Sequence, residues 1–389
     1  MKDQYFSDQL YHERPAESLI CVFGSLAKKY GGVNFAQGIP GFQPPKELLD
    51  ILSSLVYKDF HQYAPGHGNA KLLKQIVSHH HDDLPNITED NVLIVQGATE
   101  AGSLIYNYLS AEINEPFSAM AFDPVYETFS HLPKIFGSDF VPFYPGNHGI
   151  DFTKLEQSVR RHNVRVLFLN SPGNPLGTLL SKDDYLKIIA LSRKYNIYIL
   201  MDAVYKDLYF HDPPYIPVEH TGENLFYINS FSKMLSITGW RIGYFITSSK
   251  HMNKIKQIHD YTGLCAPSIF QEAIAQYLHK FNYGVDYLNK TRDILYKNYL
   301  LLKEYLVQKR FAIPDIQGGY FIWAKIPDGL PDGYKLALDL YREQQVAVVP
   351  GEHFSDQGER YLRFNIARNT EEIESALPKL DLFFQKYGL

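Results

Sequence analysis

The stretch NSFSKMLSITGWRIGY, residues 229–244, places a lysine in an unusual setting. Lys233 follows LFYINS (225–230), which reads as a buried strand, and precedes a GWRIG turn (239–243) into a second apolar run. A lysine leaving a strand so close to a core, flanked by Ser230, Ser232 and Arg241, is a surface charge, a phosphate binder or a nucleophile. The segments on either side decide between these.

Upstream, short apolar runs alternate with helical segments. The strand candidates are NVLIVQG (91–97), AMAFDP (119–124), DFVPFYP (139–145), VRVLFLNSP (164–172) and IYILMDAVY (197–205), followed by LFYINS and RIGYFITS (241–248). Between them, TEAGSLIYNYLSAEI (99–113) and KDDYLKIIALSRKYN (182–196) carry apolar residues at helical spacing, the second with Ser181 as its N-cap. Strands apolar on both faces and separated by helices predict an α/β fold, with a mostly parallel sheet of seven strands covered by helices. From about residue 268 the pattern changes. A long helical stretch leads to FAIPDIQGGYFIWAKI (311–326), VAVVPG (346–351), YLRFNIAR (361–368) and a last helix, TEEIESALPKLDLFFQKYG (370–388). This reads as a smaller α+β domain, with which the first 40 or so residues pack. The expected division is a large domain over 43–270 and a small one made of 1–42 and 271–389.

Composition narrows the function classes. The chain has 389 residues, 45% of them hydrophobic, and a formal net charge of −5. It lacks the basic excess of a phosphate-backbone binder, so no nucleic-acid partner is expected. No run of 18 or more apolar residues occurs, so no membrane span is expected. The two cysteines, Cys21 and Cys265, do not make a disulfide framework, and the opening MKDQYFSDQLYHERPAESL has no apolar core of a signal peptide. A cytoplasmic location is the expectation.

In open α/β sheets, ligands sit beyond the carboxyl ends of the strands. The unusual polar residues cluster at such ends: Gly97 to Thr99, Pro124 to Tyr126, Asn170 to Asn174, Asp202 to Tyr205 and Ser230 to Lys233. Lysine, aspartate, asparagine, tyrosine, serine and arginine around a helix start suit an aldehyde-phosphate cofactor. The lysine can hold the aldehyde as an imine, the aspartate can keep a pyridine nitrogen protonated, and the serine, arginine and helix N–H groups can bind the phosphate.

With these segments in order, the chain resembles the class I/II, fold-type I pyridoxal 5'-phosphate-dependent aminotransferases, nearest their kynurenine and methionine aminotransferase branch. The resemblance runs from VNFAQGIPGFQPP (33–45) through QYAPGHGNAKLLKQI (62–76), GATEA (97–101), DPVYETF (123–129), NSPGNPLG (170–177), MDAVY (201–205) and SFSKMLSITGWRIGY (230–244) to PGEHFSDQGERYLRFNIA (350–367). It implies that Lys233 is the Schiff-base lysine and the base that moves the substrate proton. It implies that Asp202 pairs with the pyridinium nitrogen, and that Tyr205 and Asn174 share the ring oxygen. Ser230, Arg241, Ala98 and Thr99 would bind the phosphate, Tyr126 would stack on one ring face and Val204 would pack on the other. Arg363 would hold the substrate α-carboxylate with a backbone contact from Gly38, and Asn174 and Ile20 would also bind the substrate. Tyr63 would reach the phosphate from the neighbouring subunit of a homodimer. On an alternating strand Arg363, Asn365 and Ala367 share a face, so Arg368 points away.

The substrates implied are an amino acid and a 2-oxo acid. The positions over the substrate, Ile20, Thr99 and Leu264, are not aromatic, which favours methionine or another medium-sized apolar side chain. A carbon–sulfur β-lyase on the same fold remains the alternative, with a non-catalytic ligand-binding protein further off. A nicotinamide-dependent enzyme would need G-x-G-x-x-G at a strand–helix junction, and none is present. GNPLGT (173–178) lacks the Gly-Lys ending of a P-loop. HHHDDL (79–84) is read as a solvated helix end, because adjacent helical residues point about 100° apart and cannot converge on a metal. Glu100 is read as helix-terminal charge with no acid–base partner.

Overall fold

The structure is a computed structural model that describes residues 9–146 and 149–389. The first eight of the 19 residues on which the signal-peptide reading rests lie outside the described residues.

All seven expected strands form, and they lie in one sheet. They are β2 (Val92–Val95), β3 (Ser118–Phe122), β4 (Asp139–Phe143), β5 (Val164–Asn170), β6 (Tyr198–Asp202), β7 (Leu225–Ser230) and β8 (Gly243–Ile246). The spatial order is β2-β8-β7-β6-β5-β3-β4, and β8 alone runs against its neighbours. β2, β7 and β8 are buried at every position, as expected of strands covered on both faces. Because β7 and β8 are antiparallel with Ser230 opposite Gly243, the 231–242 segment is a turn that folds back at the carboxyl end of β7. Lys233 sits in it, on the one-turn helix Phe231–Met234, whose N-cap Ser230 accepts a hydrogen bond from the Ser232 N–H.

The remaining strands form two small sheets. β1 (Val33–Asn34) pairs in parallel with β10 (Val346–Ala347), while β12 (Tyr361–Asn365) lies between β11 (Val349–Pro350) and β9 (Phe321–Lys325), antiparallel to both. The N-terminal segment is stitched to this C-terminal layer. Tyr341 donates to the Leu26 carbonyl, and Asn365 Nδ2 donates to the carbonyls of Gln37 and Ile39.

Local signals explain most helix limits. Ser181 caps Lys182–Tyr195 as expected: its hydroxyl accepts from the Asp184 N–H while Asp184 reaches back. The long helical stretch after 268 is broken. It forms Ser268–Lys280 and Val285–Gln308, because Asn282, Tyr283 and Gly284 take positive φ values between them.

HHHDDL is corrected in part. Among the described residues no group of three potential metal ligands occurs. The segment is not simply solvated, however. His80 is buried, with Nε2 2.9 Å from the Tyr244 hydroxyl, and burial pushes its pKa well below the usual histidine range. His79 stacks on Tyr283 at 3.8 Å. The last turn of Ala70–His80 packs against Tyr227 and Tyr244 of the large sheet, which a helical wheel of three polar residues does not reveal.

Candidate active site

Thirteen of the fourteen candidate residues line one cavity of about 340 Å³ at the carboxyl ends of the parallel strands. The exception is Tyr63, 83% exposed and outside the cavity. Leu264 is also outside it, whereas Ile20 and Thr99 are inside.

The Lys233 ammonium donates to the Gly38 carbonyl at 2.7 Å and lies over the rings of Tyr205 and Tyr320. Burial, then the positive charges of Arg363 and Arg241, lower its pKa to about 8 against the opposing pull of Asp202. Asp202, at the end of β6, accepts from the Val204 N–H at 3.1 Å, and burial raises its carboxyl to about 6. One strand away, Asn170 donates to the Asp202 carbonyl and accepts from the Asn174 N–H, which fixes the turn that presents Asn174. Tyr205 is buried edge-on against Tyr320 and Phe321.

The helix Ala98–Glu112 opens on Gly97 with no side-chain cap. Arg241 occupies that end, donating to the carbonyls of Gln96 and Thr238. A Cβ on Gly97, which has φ +89, would lie 2.4 Å from Arg241 Nη2, so only glycine permits this approach. Ser230 is 3% exposed and bonds Ser232 Oγ and the Ile242 carbonyl. Guanidinium, hydroxyls and an uncapped helix start together make an anion cradle.

Arg363, in the middle of β12, is fully buried. One nitrogen donates to Asn174 Oδ1 at 2.8 Å and another to the Ala36 carbonyl, while Nε has no partner. The guanidinium lies 4.1 Å over the Phe321 ring, and burial lowers its pKa to about 10. A buried guanidinium with an unsatisfied donor is costly unless an anion completes it. Arg368 pairs with Glu372, away from the site, as the strand alternation predicts.

Glu100 has partners that the sequence does not reveal. It accepts from the Gln96 N–H, and its other oxygen lies 3.9 Å from Nε2 of the buried His259. Sequence reasoning also passed over Tyr320, which donates to the Lys233 carbonyl at 2.8 Å, and Asn365, which pins the Gln37–Ile39 segment over the lysine.

A poised lysine, a partly buried carboxylate, an anion cradle and an unsatisfied arginine around one cavity define a pyridoxal-phosphate enzyme acting on a carboxylate substrate. The orphaned Arg363 Nε and the close approach at Gly97 show that the residues fit that cofactor and an amino acid beside it. Residues 21–380 match the model of the family described as aminotransferase class I and II. A probable aspartate aminotransferase of Methanocaldococcus jannaschii is 27% identical over 369 residues, covering 91% of this chain and 93% of that protein. A probable N-acetyl-LL-diaminopimelate aminotransferase of Bacillus subtilis is 25% identical, covering 94% and 92%. The structure of N-succinyldiaminopimelate aminotransferase from Mycobacterium tuberculosis superposes with a TM-score of 0.86 at 25% identity, covering 95% of this chain and 97% of that one. The chain belongs to the class I and II aminotransferase family and is a pyridoxal 5'-phosphate-dependent transaminase of fold type I.

Proposed function

We propose that this transaminase takes the amino group from an α-amino acid with a methionine-like, aromatic or other medium-sized side chain and gives it to a 2-oxo acid. The observation that carries the reading is the buried Arg363 with its unpartnered Nε, facing the same cavity as Lys233. When bound, the cofactor supplies an electron sink that acidifies the substrate's α-carbon. Lys233 would hold the cofactor's aldehyde carbon and, once substrate takes its place there, would carry the α-proton. Its depressed pKa gives it a neutral amine at a working pH near 8. Asp202 would face the pyridine nitrogen, Tyr205 and Asn174 would hold the ring oxygen, and Tyr126 and Val204 would pack on the two ring faces. Ser230, Arg241, Ala98 and Thr99 would bind the phosphate. Arg363, held in place by Asn174, orients the α-carboxylate, and Gly38 and Ile20 border it.

The named relatives act on aspartate or acylated diaminopimelate, and an aspartate reading would require a further cation for the distal carboxylate. Among the described residues, the cations lining the cavity are Lys233, Arg241 and Arg363, and each already has a role. We further propose a cytoplasmic homodimer with sites completed by the partner's Tyr63, a large lobe over 43–270, and a small lobe of 1–42 with 271–389. The fact that no described helix is long and apolar enough to cross a membrane supports part of this reading.

The test is an absorbance titration of cofactor-loaded protein with a panel of amino acids, methionine and the aromatic ones first. Bleaching that reverses on adding a 2-oxo acid supports transamination of that substrate. Pyruvate and ammonia released from a cysteine conjugate without bleaching would instead identify a lyase.

A further inference from the structure

Glu100 stands in the first turn of the Ala98–Glu112 helix, whose start is the anion cradle, yet nothing in the chemistry above uses it. A carboxylate there suits the helix dipole but repels a bound phosphate. The fold turns it aside. Ala98, Thr99 and Gly102 line the cavity, and Glu100 does not. Its side chain lies in a socket at the end of the Ser249–Thr262 helix. His259 is fully buried there, with Nε2 3.9 Å from Glu100 Oε1, and burial lowers its pKa against the pull of Glu100 and Asp260. The ring is therefore neutral at neutral pH and packs beside the carboxylate without forming an ion pair. Gly263 completes the socket: a Cβ there would collide with Glu100 Oε1 and come within 2.9 Å of the His259 ring.

The other oxygen connects to the cradle. Glu100 Oε2 accepts from the Gln96 N–H, which ties the helix to the residue before its Gly97 cap. The Gln96 carbonyl in turn accepts from Arg241 Nη2 at 3.0 Å, and Gln96 Nε2 lies 3.5 Å from the Gly263 carbonyl. Arg241 Nη1 donates to the Thr238 carbonyl at 2.9 Å, within its own turn, so the Gln96 bond is the one that ties the guanidinium to the helix start. Gly97, next in the chain, has no side chain to limit rotation of the peptide that carries the Gln96 carbonyl. The bond from Glu100 limits it instead, and a hydrogen bond to a carboxylate is stronger than one between neutral groups.

We propose that Glu100 is a positioning residue for the cofactor's phosphate: through the Gln96 backbone it aims the Arg241 guanidinium at the cradle, while the socket of His259 and Gly263 keeps its own charge off the anion. This deepens the function proposed above and rests on it, because the anion is the phosphate of pyridoxal 5'-phosphate. The role needs an acceptor oxygen at position 100. Glutamine presents one, whereas alanine and methionine do not. The effect is confined to the phosphate end of the cofactor, because Glu100 touches none of the residues assigned to the ring or the aldehyde.

The experiment titrates cofactor-free protein with pyridoxal 5'-phosphate and, separately, with pyridoxal, which lacks the phosphate, following absorbance. The ratio of the two affinities isolates what the cradle contributes. In Glu100→Ala (E100A) that ratio is expected to fall about tenfold, through weaker binding of the phosphate ester alone, and in E100Q to stay within about threefold of wild type. In an Arg241→Ala background E100A should change the ratio by less than about twofold, because the two residues act as one unit. An unchanged ratio in folded E100A, an equal loss of both ligands, a ratio in E100Q as low as in E100A, or full additivity with Arg241→Ala overturns the proposal. If circular dichroism shows E100A unfolded, E100M, which fills the socket without an acceptor oxygen, takes its place. If E100M is unfolded too, Glu100 holds the fold and not the cradle, and the proposal falls. A wild-type protein that binds pyridoxal as tightly as its phosphate ester would overturn the cradle itself, and with it the placement of the cofactor proposed above.

Discussion

At the scale of single residues, the site depends on keeping Lys233 uncharged in part and Arg363 charged throughout. Arg363 is fully buried and Lys233 is partly buried, and their margins differ. A lysine brought to about 8 titrates near neutrality, whereas an arginine brought to about 10 stays protonated there. The lysine's folded pKa lies below its value of about 10.4 in an unfolded chain. The unfolded state therefore binds more protons between about 8 and 10.4, and the stability of the cofactor-free protein rises with pH across that window. The same titration sets reactivity. The rate at which cofactor-free protein takes up pyridoxal 5'-phosphate should increase as pH passes about 8, then level off, when followed by absorbance in stopped flow. Lys233→Ala should remove that phase and lower multiple-turnover activity by about a hundredfold or more while leaving the fold intact. A flat pH profile would mean that burial and the neighbouring arginines do not bring the lysine's titration to about 8.

At the scale of elements, the helix Ala98–Glu112 shows how a turn and a helix end make a binding surface. Gly97 lets Arg241 pass within a distance that no Cβ allows, at a φ that L-residues adopt with strain. Gly97→Ala should therefore cost about 1–3 kcal/mol of stability and weaken cofactor binding. Denaturant melts with and without cofactor separate the two effects, and a variant as stable as the parent with unchanged cofactor affinity would show that the turn can relax. Much of this architecture is legible from pattern. Continuous apolar runs at β2, β7 and β8 announce a covered sheet, and capping chemistry at Ser181 announces a helix start. What pattern hides is tertiary choice. Nothing local says that His80 lies beneath β7 and β8 against Tyr244, or that Glu100 finds His259 from another helix. The break at Asn282–Gly284 is signalled only by an Asn-Tyr-Gly run, which the apolar periodicity on either side masks. At the site, residues within contiguous motifs are readable, but Tyr320 and Asn365 gain meaning only when they are folded against Lys233 and the Gln37–Ile39 segment.

At the scale of the whole molecule, Tyr63 poses the remaining question. It is 83% exposed, like Tyr57 and Tyr261 at 96% and 93%, and it does not enter its own chain's cavity. It is nevertheless not on a loose loop. Ser268 Oγ donates to the carbonyls of Phe60 and Gln62, and His61 Nε2 lies 2.8 Å from the Val56 carbonyl. Large aromatic side chains displayed on an anchored segment are what a partner surface looks like. In a two-fold symmetric dimer each chain would lend Tyr63 to the other's phosphate cradle. This makes a quantitative expectation for mixed dimers. Lys233→Ala and Tyr63→Ala chains should each be weak alone. In a hybrid dimer, one site takes Lys233 from the second chain and Tyr63 from the first and is intact, while the other site carries both defects. Random pairing makes about half the dimers hybrid, each with one good site of two, so activity should recover to about a quarter of wild type. Tagging the two chains differently and purifying the hybrid should raise this to about one half. If each chain completes its own site, mixing can give only the mean of the two weak activities, because no combination of subunits then brings an intact lysine and an intact tyrosine to the same cavity.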